Sequence, residues 1–133
     1  MSEEKKIKVV LLEPGKLART AEIDASLEGM QKIVGGMIEG FYPFEEEVCI
    51  VCNDESKING MRPNRSVKSD EGIMVDFIFG PAFVCDCRGE SFDSLSDEQL
   101  GRYAKMFRYP EHLARINDEI IGIPFNPQKD KER

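Results

Sequence analysis

Residues 7–12 form the first apolar run and predict a buried strand, stopped by Glu13-Pro14-Gly15, where Pro fixes φ and Gly admits a positive one. Leu17, Arg19, Ala21 and Ile23 then alternate with Ala18, Thr20 and Glu22, the period-two pattern of a second strand paired with the first. Asp24 or Ser26 can cap a short helix through Val34, with Leu27, Met30, Gln31 and Val34 at helical spacing and Gly35-Gly36 as the stop. Residues 37–42 and 48–52 predict a second hairpin across an acidic turn.

After Asn53 the periodicity fades for about twenty residues, and 53–72 reads as a loop. Apolar runs at 73–79 and 82–87, split by Gly80-Pro81, predict one or two more strands. Ser96 with Gln99 forms a capping box and Leu95 with Leu100 a hydrophobic staple, so a helix is expected to about Phe107, before Pro110. Residues 111–121, with Leu113, Ile116 and Ile120 on one side, read as a last amphipathic helix. The expected architecture is α+β: a small mixed or antiparallel sheet of 4–6 strands in the order β-β-α-β-β-loop-β-β-α-α, with helices packed on one face.

The 133 residues suit one domain, and 41% hydrophobic with 32% charged residues is a globular composition. A helical extension over 108–125 and a disordered tail over 126–133 are expected. Twenty-five acidic against 18 basic residues give a net charge of −7, which argues against a protein that coats nucleic acid by neutralising phosphates. With neither a signal-peptide core nor a membrane-length apolar span, the chain is expected to be cytoplasmic, with no membrane partner.

Four cysteines raise the question of zinc. Cys49 and Cys52 lie in a β-branched run, and strand positions three apart face opposite sides, so these thiols cannot converge on one ion. Cys85 and Cys87 complete a set read as core thiols, with no metal expected. The single histidine, His112, reads as a solvated surface residue, and Glu45-Glu46-Glu47 as a solvated turn. No Walker loop, G-x-G-x-x-G or H-E-x-x-H motif occurs, and no cofactor is expected.

One contrast stands out. Residues 56–68 contain Lys57, Arg62, Arg65 and Lys68 and no acid, in an otherwise acidic chain. With Asn53, Asn59 and Asn64 interleaved, the segment suits either a small anion gripped by arginine forks or ion pairs with the flanking acids. The candidate ligand- or partner-binding residues are therefore Asn53, Lys57, Asn59, Arg62, Asn64 and Arg65. A second basic row, Arg102, Lys105 and Arg108, reads as the solvated face of its helix.

Several segments in fixed order carry a resemblance: Val9-Val10-Leu11-Leu12-Glu13-Pro14-Gly15-Lys16, Ile23-Asp24 with Ser26-Leu27-Glu28, and Met30-Gln31-Lys32-Ile33-Val34-Gly35-Gly36 with Ile38-Glu39. Cys52-Asn53, Lys57-Ile58-Asn59, Pro63-Asn64-Arg65 and Ser94-Leu95-Ser96-Asp97-Glu98-Gln99 continue it. Over roughly 7–107 the chain resembles the bacterial and phage family catalogued as domain of unknown function 3846. Cys85-Asp86-Cys87 and the stretch after Tyr109 depart from its pattern. The resemblance implies no catalytic residues; occurrence in phages and conjugative elements implies accessory or anti-defence roles. Within it, Asn59 is expected to shape the turn, and Arg65, with Arg62, to reach a bound anion or a carboxylate inside the fold.

The function expected is therefore that of a non-enzymatic accessory protein of a phage or mobile element. It would bind a host or element protein, or a small nucleotide-like anion, through the 53–72 loop. An acidic nucleic-acid mimic that inhibits a host restriction or nuclease enzyme is the alternative, and an enzyme of unknown class the third reading. Direct nucleic-acid binding is not expected. Edge strands leave homo-oligomers open.

Overall fold

The computed structural model describes residues 5–131. β1 (Lys6–Leu12) and β2 (Arg19–Asp24) form the first antiparallel hairpin, and α1 (Leu27–Val34) follows, with the Ser26 hydroxyl accepting from the Gly29 N–H and Gly35 ending it at φ 84°. β3 (Ile38–Phe41) and β4 (Val48–Asn53) form the second hairpin.

The segment read as a loop is only partly one. Residues 54–60 are a turn, but β5 (Pro63–Lys68) pairs antiparallel with β6 (Met74–Phe79). Next, β7 (Ala82–Asp86) inserts between β1 and β4, which completes a five-stranded antiparallel sheet ordered β2-β1-β7-β4-β3. α2 (Asp97–Met106) starts on the expected capping box, Ser96 and Gln99 each bonding the other's backbone N–H.

The α+β reading therefore holds coarsely, for a mostly β molecule, but the helices do not share a face. Met30 and Val34 of α1 pack with Ile7, Val9 and Leu11, whereas Leu100 and Tyr103 of α2, with Phe107, pack with Val10 and Leu12. The cause lies in the central strands: β1, β4 and β7 are apolar on both sides, so both faces of the sheet need a cover.

The expected helix at 111–121 is instead a hairpin of β8 (Glu111–Ile116) and β9 (Glu119–Pro124). Asn117 and Asp118, at φ 51° and 66°, make the two-residue turn that such hairpins favour, and Ile120, Ile121 and Ile123 supply β-branched strand residues. The tail read as disordered contains α3 (Pro127–Lys131); its last two residues, like residues 1–4, lie outside the described residues. No described helix is long and apolar enough to cross a membrane.

Candidate functional site

The six residues singled out in 53–65 do not assemble into one site. Asn53 is buried: its Nδ2 donates to the Val34 carbonyl at the end of α1, at 3.2 Å, and its Oδ1 accepts from the Glu55 N–H at 2.7 Å. Gly36 makes room for it, since a Cβ there would lie 2.8 Å from that Nδ2. Lys57 is tied to Asp76 at 2.6 Å. Asn59 is exposed, and its backbone N–H closes the turn onto the Glu55 carbonyl. Arg62 is exposed as well, its guanidinium lying against the Gly15 turn.

Asn64 and Arg65 are each 1% exposed. The β5–β6 register skips between Pro63 and Arg65, so Asn64 is the extra residue of a β-bulge, and two consecutive side chains turn inward where a regular strand would alternate. Asn64 Nδ2 donates to the Leu12 and Gly80 carbonyls at 2.9 and 2.8 Å.

Arg65 Nε donates to the Phe107 carbonyl at 2.6 Å, while its Nη atoms reach the carbonyls of Glu13, Lys16 and Arg108 and the side-chain oxygen of Asn64. A guanidinium has five N–H groups. These contacts engage all five, so Arg65 meets no carboxylate among the described residues and keeps no N–H open for an anion; it pins the end of α2 and the β1–β2 connection to β5. Burial lowers its pKa to about 10, which still leaves it charged at neutral pH.

Glu46 corrects the reading of a fully solvated turn. Arg102 grips it through two contacts of 3.0 Å, the Tyr103 hydroxyl donates to it at 2.6 Å and Gln99 Nε2 at 3.0 Å. The Arg102 and Tyr103 bonds, outweighing burial, hold its carboxyl at about 2, and they fasten α2 across the sheet. Arg102 is also bound to Glu98, so it is not a free cation.

Cys49 and Cys85 are directly opposed on β4 and β7, both buried, with sulfurs 3.6 Å apart on the α1 face; Cys52 packs on the α2 side. The C-x-x-C pair is thus split between faces, as strand geometry requires. Burial pushes the Cys52 thiol up to about 11, away from thiolate chemistry. Among the described residues no group of three or more metal-ligating side chains comes together. His112, expected on a helix, lies on β8 with its ring stacked on Phe125 at 3.9 Å.

A cleft of about 400 Å³ beside α2 has a different character. Leu100, Tyr103 and Phe107 face the core, with half-buried Ala104 at its margin; Gly101 and Lys105 are exposed beside Ala104, and Arg108 follows just past the end of the helix. Gly101 and Ala104 keep this surface low, and a Cβ at Gly101 would meet nothing within 4 Å. The Leu17-Ala18 segment forms one wall, held by the Ala18 N–H on the Arg108 carbonyl at 3.0 Å. Tyr109, Asn126 and Gln128 form the other.

Among the described residues no acid lines this cleft, and Lys105 and Arg108 make no ion pair. The cleft between β3 and β6, of about 320 Å³, instead carries Glu39, Asp54, Glu55 and Asp76. Sequence reading assigned Lys105 and Arg108 to a solvated helix face; the missing signal was the pair of small residues, Gly101 and Ala104, that line the same cleft.

The sequence model of a family described as a domain of unknown function, DUF3846, matches residues 7–108, and the chain belongs to that family. No curated protein matches the chain, and no solved structure does. The match ends inside the cleft: Lys105 and Arg108 fall within it, and Tyr109, Asn126 and Gln128 beyond it.

Proposed function

We propose that this DUF3846 protein is a non-enzymatic binding module, an accessory protein of a phage or mobile element, which holds a small phosphorylated anion in the α2 cleft rather than along 53–72. The observation that carries this reading is that Lys105 and Arg108 share a cleft in which, among the described residues, no acid lies and neither makes an ion pair. Arg108, just past the end of α2, offers a planar fork matched to phosphate oxygens, and Lys105, in the last turn of the helix, a point charge lining the same cleft. The cleft volume lies within the range of small-molecule sites.

Thermal shift with a panel of nucleotides and inorganic pyrophosphate tests the reading, since a ligand at 100 times its Kd stabilises by about 2.7 kcal/mol. A shift is expected for the native protein and its loss in a Lys105→Ala/Arg108→Ala variant. No shift with any phosphate ligand, or a shift that survives in the double variant, contradicts it.

One observation favours the nucleic-acid mimic as a second reading: the carboxylates of Glu39, Asp54 and Glu55 along the cleft between β3 and β6, where, among the described residues, Asp76 alone is paired, with Lys57. That reading expects inhibition of a host restriction or nuclease activity that fades with added salt and is lost on Glu39→Gln/Asp54→Asn/Glu55→Gln substitution. Inhibition absent at low salt counts against it.

A further inference from the structure

We infer that the anion in this cleft is carried on an aromatic base, so that the ligand class is a nucleotide, and that the base is selected by the segment after residue 108. The inference rests on the reading of the cleft as an anion site and adds what the far wall is for.

The hairpin register places that wall. Glu111 pairs with Pro124, and the Phe125 N–H donates to the Pro110 carbonyl at 3.0 Å, so pairing continues one step past the strands. The next opposed positions are Tyr109 and Asn126. The stack of His112 on Phe125, with rings within 9° of parallel, fastens the base of the hairpin at the same level. The hairpin thus leaves the end of α2 immediately after Arg108, folds out and returns Asn126 and Gln128 to the same cleft.

The chemistry of the returned groups fits a base. Tyr109 is 39% exposed and lines both this cleft and the neighbouring one of about 360 Å³, which puts a partly exposed aromatic residue in the same cleft as the cations. A stacked base gains from such a platform whatever its identity. Asn126 Oδ1 accepts from the Gln128 N–H at 3.0 Å, which orients the amide and turns its NH2 away from that bond. The Gln128 side chain makes no hydrogen bond among the described residues. Two amides with open donor and acceptor positions match the alternating edge of a purine or pyrimidine. The phosphate half of the cleft belongs to the family core, and the base half to this chain's own extension.

Isothermal titration of the full chain with pyrophosphate and with ADP separates the two halves, because the ligands share a diphosphate and differ in the nucleoside. ADP is expected to bind tighter, by at least about five-fold, the lower end of what one stacked base contributes. Tyr109→Leu should reduce that preference and Tyr109→Phe should keep it. Pyrophosphate binding with no preference for ADP, or a preference undiminished by Tyr109→Leu, overturns the inference while leaving the anion site standing. Binding of neither ligand by the native protein overturns both.

Discussion

Two arginines meet at the end of α2 and do opposite things. Arg65 donates to the Arg108 carbonyl from below, buried and with every N–H engaged, while the side chain of Arg108 lines a cleft with no acid among the described residues. The lesson is that a cation without an acid nearby in sequence need not be available to a ligand. Backbone carbonyls at the end of a helix and in a turn are acceptors enough to hold a guanidinium, and no charge pattern along the chain reports them.

The largest effect should come from breaking the lower partner. Arg65→Leu removes the donors for four carbonyls and the Asn64 oxygen in a closed interior, and is expected to cost about 3–5 kcal/mol in urea denaturation. Arg65→Lys should recover only part of this, because an ammonium cannot span carbonyls arranged around a planar fork. A cost below about 1 kcal/mol for Arg65→Leu would remove Arg65 from the scaffold.

Asn64→Ala is next. It takes the donor from the Leu12 and Gly80 carbonyls, an expected loss of about 2 kcal/mol in the same assay.

Glu46 gives a pH signature. Its folded pKa lies near 2, below its ordinary value of 4.5, so its contribution is complete above pH 4.5 and disappears as pH falls toward 2. The carboxylate is about a third exposed, so Glu46→Gln should cost only about 1 kcal/mol at pH 7. The difference between variant and native protein should narrow between pH 4.5 and 2. A difference that does not change with pH would detach Glu46 from the ionised network with Arg102.

The upper partner should show the smallest stability effect. Lys105→Ala/Arg108→Ala touches only exposed side chains and should change stability by no more than about 0.5 kcal/mol. Its consequence is expected in binding alone.

What was legible in the sequence follows the same division. Runs such as Ile7 to Leu12, the Ser26 cap and the Ser96–Gln99 box carry their structure locally, and each formed where its pattern placed it. β5 was hidden because its inward residues at the bulge are Asn64 and Arg65, so polarity masked a buried strand. The last hairpin was hidden by coincidence: Leu113, Ile116 and Ile120 satisfy helical spacing, and the two-residue turn between Ile116 and Glu119 outweighs it. The cleft could not be read at all in one dimension, since residues 17–18, 101–109 and 126–128 meet only after two hairpins and a helix have folded.

A pyrophosphate titration followed by amide chemical shifts sets the two regions directly against each other. Perturbations that saturate and cluster at residues 17–18, 101–109 and 126–128 are predicted, with the amides of 57–65 left in place. Saturable shifts centred on 57–65, or none anywhere, would contradict the assignment of the available cations to α2.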